Sequence, residues 1–184
     1  MPGPKVFGAI LQIGGNRMML DGAGFGTSAE MYYDTTLQEA VSRGLKCHSN
    51  DLSKSVKFVR LITKYLQEEY NNIFYGKAQN LGRVLCKAYD EALQKYDVLI
   101  LPTLPKKAPV FPQENPPLEE YLEKAFEMVV NCSPFNVTGH PALSINAGFS
   151  DGLPVGMMIV GRKFDEVTVL NVAYAYEKIR DAKE

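Results

Sequence analysis

Leu143-Ser144-Ile145-Asn146-Ala147-Gly148-Phe149-Ser150-Asp151-Gly152-Leu153-Pro154-Val155-Gly156-Met157-Met158-Ile159-Val160 is the stretch that decides the fold. Two runs rich in apolar residues, 143–147 and 155–160, flank a segment punctuated by glycine and aspartate. That pattern predicts a β-hairpin with a connection of five to seven residues. Upstream, Val98-Leu99-Ile100-Leu101 sits between Asp97 and Pro102. A short, unbroken apolar run with such punctuation reads as a buried strand of the parallel kind. Pro102 has no N–H to give a ladder, so the strand ends there.

Helical patterns surround these strands. Residues 35–45 and a longer segment from Asn50 or Asp51 both open on capping residues. In the longer one Leu52, Val56, Val59, Ile62, Leu66, Tyr70 and Ile73 recur at spacings of three and four, which places them on one helix face. A third helix is expected over 77–96, with Leu81, Leu85, Ala88, Ala92 and Tyr96 on its apolar face. A fourth covers 118–131, and a last one 166–180 has Leu170, Ala173, Tyr174 and Glu177 in register. Residues 5–13 fit a strand or the tail of a helix. Six prolines between 102 and 117 mark an extended surface loop, and 132–141 reads as a second loop punctuated by Pro and Gly. Strands and helices intermixed in the second half specify an α/β layer structure. The first half supplies helices without a sheet of its own, so the chain resembles part of a larger sheet domain.

The chain has 184 residues, 46% hydrophobic and 22% charged. This is a size for one domain and a composition that supports a buried core, which excludes disorder as the main state. Twenty Lys and Arg against 21 Asp and Glu give a net charge of −1. A nucleic-acid surface or a polybasic membrane patch needs clustered positive excess, so neither partner is expected. Mean hydropathy is −0.15, and no apolar run approaches the roughly 20 residues that span a bilayer. No secretory signal is visible at the start of the sequence. Cys47, Cys86 and Cys132 are odd in number and widely spaced, which fits no disulfide framework and suits a reducing, cytoplasmic setting. With only His48 and His140, no histidine-rich metal site is expected, and no cofactor is implied.

Single motifs carry little chemistry. Gly22-Ala23-Gly24-Phe25-Gly26 is one residue short of the spacing of a dinucleotide fingerprint and follows no strong strand, so it reads as a structural loop. His140, between Gly139 and Pro141, has no G-x-S-x-G serine to serve and reads as a loop histidine with one satisfied hydrogen bond. Cys132 reads as a small buried hydrophobe rather than an activated thiolate. No catalytic residue emerges from the residues by themselves.

Three ordered segments carry more. Tyr96-Asp97-Val98-Leu99-Ile100-Leu101-Pro102-Thr103-Leu104-Pro105 resembles the D-x-L-hydrophobic-x-P-T-x-P segment of the amidase signature family. Asn136-Val137-Thr138-Gly139-His140-Pro141-Ala142-Leu143-Ser144 resembles its N-x-T-G-x-P-A-x-S segment. Gly152-Leu153-Pro154-Val155-Gly156 is similar to its G-L-P-V-G hairpin, and Phe164-Asp165-Glu166 to the start of its closing helix. Asp21-Gly22-Ala23-Gly24 and Ala78-Gln79-Asn80-Leu81 resemble segments of the bacterial acylamidase branch. The resemblance extends over nearly the whole chain. It implies an incomplete α/β fold: the C-terminal part of a mixed β-sheet flanked by α-helices, residues 1–184 forming a single partial domain.

The same resemblance implies hydrolysis of a carboxylic amide to acid and ammonia or amine. The family's machinery is a Lys, a bridging Ser and a nucleophilic Ser near a Gly-Ser-Ser-Gly-Gly stretch. A neutral lysine relayed through a second hydroxyl serves as the base a serine alcohol needs, and backbone amides hold the oxyanion. This sequence contains no Ser-Ser dipeptide, and its only Gly-Gly is Gly14-Gly15. The expectation is therefore a C-terminal portion that is inactive alone. By resemblance Cys132, Phe135, Asn136 and Thr138 lie at the pocket wall and its approach loop. Phe135 would offer an apolar plane, while Asn136 and Thr138 would offer hydrogen bonds to a small-molecule amide. The competing reading has Asn136 and Thr138 satisfying backbone groups of a Pro/Gly loop, and Thr103 and Pro105 as strand-end packing. The family tendency to homodimers is the partner expectation. Two alternatives stand beside the amidase reading: a non-catalytic binding or interaction module derived from an amidase, and a nucleotide-binding domain resting on the glycine run alone.

Overall fold

A computed structural model describes residues 3–21, 32–111 and 113–182. The chain divides into two compact units, one of residues 1–7 with 80–184 and one of residues 8–79.

The first unit carries the sheet. Strands β1 (Leu99–Pro102), β2 (Ala142–Ser150) and β3 (Leu153–Val160) pair in the order β1-β3-β2. Both outer strands run antiparallel to β3, with Leu99 opposite Val160 and Ala142 opposite Val160 in the two ladders. The expectation of a buried parallel strand at 98–101 is thus corrected. An apolar run carries no direction, and the neighbour that seats beside β1 is the returning strand of the hairpin. As an edge strand β1 is half-buried: Leu99 and Leu101 pack inward while Ile100 is exposed. An edge also tolerates Pro102 as the last residue.

The hairpin connection is shorter than the sequence suggests. Ser150 pairs with Leu153, leaving only Asp151 and Gly152 in the turn, with φ of 51° and 76°. Two central residues with positive φ match the twist of the flanking strands, which is why Asp-Gly closes two-residue hairpins. The residues read as loop are absorbed by a bulge between Asn146 and Phe149. There Gly148 adopts φ of 119° and its N–H donates to Asn146 Oδ1 at 2.7 Å.

Alternation along β3 sends successive side chains to opposite faces. Met158 and Val160 join Phe135, Tyr89, Leu99, Leu101 and Cys132 on one side. Met157 and Ile159 join Val169, Ala173, Leu143, Ile145 and Val172 on the other. The sheet therefore has helices on both faces. One face meets α4 (Ile73–Leu93) and α6 (Ser133–Thr138), and the other meets α7 (Glu166–Asp181). Fully burying a side chain such as Ile159 contributes about 1.5–3 kcal/mol.

Helix α6 replaces the loop expected over 132–141. Pro134 sits in its first turn, where a missing N–H costs nothing. Gly139 closes it in the left-handed region at φ 72°, its N–H donating to Phe135 O at 2.8 Å. Pro and Gly here mark the two ends of a short helix. In α7 the buried row is Val169 and Ala173, so Ala173 keeps its expected place while the expected Leu170 and Tyr174 are exposed. Asp165 caps the helix: its carboxylate accepts from the Thr168 N–H and hydroxyl. At Gly161 a Cβ would stand 2.5 Å from Val169 Cγ2, so the strand end and helix approach too closely for any other residue. Helix α4 runs Ile73–Leu93 rather than the expected 77–96; in it Leu85 and Leu93 are buried and Leu81 is exposed, while Tyr96 lies beyond its end and is exposed. Helix α5 (Leu118–Glu127) stops short of the expected 131.

The second unit is helical. Helix α1 (Gly3–Ala9), most of which belongs to the first unit, leads into a π-helical stretch of the second, Ile10–Asp21, which resolves residues 5–13 in favour of helix. Helix α2 (Thr35–Cys47) is capped by Asp34, whose carboxylate accepts the Leu37 N–H at 3.0 Å. Helix α3 (Lys54–Tyr70) is capped by Ser53 rather than Asn50 or Asp51, which lie in a 3₁₀ turn, Ser49–Asp51. The fully buried Thr63 donates to Gln12 O at 2.6 Å and ties α3 to the π-helical stretch.

Candidate functional site

The four residues singled out by sequence sit on or just before α6. Cys132 is half-buried, its Sγ 3.5 Å from Thr103 O. Phe135 is buried, its ring 5.0 Å from that of Tyr89 and packed with Met158 and Val160. Asn136 is exposed. Thr138 is buried, its hydroxyl 2.9 Å from His140 Nδ1. Cys132 and Phe135 thus share one apolar cluster, Asn136 faces solvent, and Thr138 belongs to a polar group of its own.

The ends of β1 and β2 add hydroxyls beside Cys132. Thr103 Oγ1 and Ser144 Oγ are 2.5 Å apart, and the Thr103 N–H donates to Gly156 O at 2.9 Å. Asn131 Nδ2 donates to Pro102 O at 2.9 Å. Gly156 makes this arrangement possible, because a Cβ there would meet Thr103 Oγ1 at 2.8 Å and Ser144 Oγ at 3.1 Å. Sequence reasoning placed Thr103 in strand-end packing and passed over Ser144. The signal that finds them is Gly156 in mid-strand, which marks close approach by other groups. Side-chain oxygen and amide groups at strand ends suit a ligand that both donates and accepts hydrogen bonds.

Beneath α6 lies a cluster that the sequence did not disclose. The imidazole of His140 is fully buried; Nδ1 pairs with Thr138 and Nε2 lies 3.2 Å from Asp90 Oδ1. His140 therefore satisfies two hydrogen bonds rather than the one expected. Burial depresses its basicity below the ordinary histidine value, opposed by the Asp90 carboxylate and reinforced by the Lys163 charge. On the other side of Asp90, Lys163 Nζ stands 3.9 Å from Oδ1 and donates to Cys86 Sγ at 2.7 Å. Cys86 Sγ is also 3.5 Å from Asp90 Oδ2 and 3.7 Å from Thr138 O. Cys86 and Asp90, four apart on α4, face the same neighbourhood.

Among the described residues, no group of three or more His, Cys, Asp or Glu side chains is arranged to hold a metal ion, and no helix is long and apolar enough to cross a membrane. The glycine run 22–26 lies outside the described residues.

The Amidase family model matches residues 16–170. The uncharacterized protein in the nthA 5'region of Rhodococcus erythropolis is 43% identical over 177 residues, covering 96% of this chain and 89% of that protein. The enantioselective amidase of Rhodococcus rhodochrous is 43% identical over 169 residues, which is 91% of this chain and 33% of the amidase. A solved structure of an amidase superposes with a TM-score of 0.55 at 28% identity, covering 74% of this chain and 30% of that one. The chain thus spans about a third of the length of the amidases it matches.

Proposed function

Because this chain belongs to the amidase family, we propose that it is the C-terminal portion of an amidohydrolase that cleaves carboxylic amides to acid and ammonia or amine. The observation that carries the reading is the family match over 16–170 together with the three sequence segments it contains. Those segments form the β1 end, the α6–β2 entry and the hairpin. The nucleophile is not among these residues, since no Ser-Ser or Gly-Ser-Ser-Gly-Gly occurs in them. Their role is to build one wall of the cleft and, as a single partial domain, to complete the family's sheet.

On this reading the amide meets the exposed Asn136 and the edge of Cys132, with Thr103 and Ser144 alongside. Phe135 and Thr138 act from behind: Phe135 fixes α6 on the sheet, and Thr138 fixes its end on His140. The substrate is a small-molecule amide; a balanced charge supports neither nucleic acid nor membrane as partner, and a homodimer is the assembly the family suggests. Three unpaired cysteines support a cytoplasmic setting.

The test is a chimera. The corresponding third of the Rhodococcus rhodochrous enantioselective amidase is replaced by this chain, and ammonia release from simple carboxamides is followed. Retained hydrolysis, with KM altered by Asn136→Ala, is the expected result. A folded chimera with no turnover on any carboxamide overturns the proposal. The 184 residues alone are expected to give no ammonia. Turnover abolished by a substitution within them would show that a nucleophile is present after all.

A further inference from the structure

We infer that a cleft within the helical unit binds a small hydroxycarboxylate, its carboxylate against Arg60 and Lys64 and its hydroxyl donating to Asn16 Oδ1. The cleft has a volume of about 240 Å³ and is lined by Asn16 and Asp21 of the π-helical stretch and by Arg60, Leu61, Lys64 and Gln67 of α3. Local geometry assembles it. The i to i+5 repeat of a π-helix brings Asn16 onto Asp21, and Asn16 Nδ2 donates to Asp21 Oδ2 at 3.3 Å. Arg60, Lys64 and Gln67 recur at spacings of four and three, which puts them on one face of α3. The buried Thr63 hydroxyl, donating to Gln12 O, holds the two elements together. Asn16 carries the inference. It is only 6% exposed, yet its Oδ1 has no hydrogen-bond partner among the described residues. Buried acceptors are nearly always paired, because an unpaired one keeps the full cost of leaving water. Segments of π-helix are rare and gather at functional sites, and this one supplies both Asn16 and Asp21.

The lining selects the ligand. An amide oxygen only accepts, so its partner must bring an N–H or O–H, which a plain carboxylate lacks. Arg60 and Lys64 oppose a cation. Asp21 already accepts from Asn16 Nδ2 and pairs with Arg60 Nη2 at 3.6 Å, so its charge is compensated and does not call for an ammonium. Lys64 meets Glu68 at 3.0 Å in an exposed pair, weak enough to yield to a second anion. An anion that carries a hydroxyl meets both demands. Volume sets its size: the cleft holds several waters at about 30 Å³ each, but lies below the roughly 300 Å³ at which drug-sized sites begin. The amide-hydrolysis reading uses none of these residues.

Three probes of one shape make the test: lactate, propionate, which lacks the hydroxyl, and propane-1,2-diol, which lacks the carboxylate. The full chain, labelled with nitrogen-15, is titrated with each, and the side-chain amide signals of Asn16 and Gln67 are followed by NMR. Lactate is expected to shift them saturably and to bind about tenfold tighter than propionate, because only lactate pairs the buried acceptor. The diol is expected to leave them in place. Arg60→Met, at a partly exposed position, weakens lactate about tenfold. Asn16→Leu brings lactate down to the affinity of propionate and leaves propionate unchanged. Where Asn16→Leu does not fold, the ratio of lactate to propionate in the unaltered chain decides. Signals unmoved by lactate mean that water alone serves Asn16 and overturn the inference. So do equal affinities for lactate and propionate, tighter binding of L-alanine than of lactate, or an undiminished lactate affinity in Arg60→Met.

Discussion

The two units of this chain bury their residues by different means. Among the described residues of the sheet unit, most buried side chains are apolar, six of them in two clusters, one on each face of β3, and Ser133, Thr138 and His140 are the buried polar ones. Among the described residues of the helical unit, half of the buried ones are polar. Thr63 and Asn16 join Ile13 and Ala78 there, and Asn16 Oδ1 has no hydrogen-bond partner. Leu61, Tyr65 and Ile73 of the same unit are more than half exposed. Amphipathic helices thus secure an apolar stripe only where a second layer covers it, and a sheet with helices on both faces covers more. The contrast is one of proportion: apolar side chains dominate the buried residues of the sheet unit, while polar and apolar ones share the burial of the helical unit.

The largest test strikes the centre of β3. Ile159 is fully buried, and Ile159→Ala is expected to cost about 2–5 kcal/mol, read as a lowered denaturation midpoint. Leu61→Ala, at an exposed position of α3, is expected to stay within about 0.5 kcal/mol. If the two cost the same, the contrast between the units is broken.

A middle-sized effect sharpens the other side. Thr63→Val keeps shape but removes a buried hydrogen bond to Gln12 O, at a cost of about 0.5–1.5 kcal/mol. Hydrogen exchange is the fitting probe: amides of the π-helical stretch should lose protection while those of β3 keep theirs. Equal loss in both units would show that they open together. Asp165→Ala removes the cap of α7 and is expected to cost about 1 kcal/mol, confined to the sheet unit.

The smallest effect is a pH dependence, again confined to the sheet unit. His140 takes up its proton less readily when folded than the ordinary value of 6.5, chiefly because it is buried. Below about pH 6.5 the unfolded chain therefore binds a proton that the folded chain refuses, and stability falls. Above that pH both states are neutral at this site and the contribution is constant. Melting temperature should rise between pH 5 and 7, and His140→Gln should flatten that rise. A rise of equal size in His140→Gln would assign it to other groups.

The strands were legible because a buried two-sided layer leaves a dense apolar signature, and all three appear where Val98–Leu101 and the paired runs at 143–160 indicate. Helices α2, α3, α4 and α7 were legible from their spacing, but their buried faces were less so. In α7 Leu170 has the hydropathy of a core residue, yet Val169 takes the core position, packed in the cluster of Ile159 and close against Gly161. Direction was not legible in β1, since antiparallel pairing with β3 depends on which strand becomes its neighbour. Helix α6 was hidden by Pro134 and Gly139, residues that bound short helices as readily as loops. In the candidate site, Cys132, Phe135, Asn136 and Thr138 could be picked by resemblance. Thr103 and Ser144 could not, because their meeting joins residues 41 apart in sequence.

Sequence alone determined the segments, their order and the family's three motifs, because hydropathy and turn chemistry act between residues a few positions apart. It also determined that no Ser-Ser pair is present. Only the tertiary structure decided that Cys86 meets Lys163, 77 residues away, and that His140 meets Asp90, 50 residues away. Such contacts arise when layers pack and the chain ends of separate elements are brought to one place. Nothing in local spacing encodes that distance.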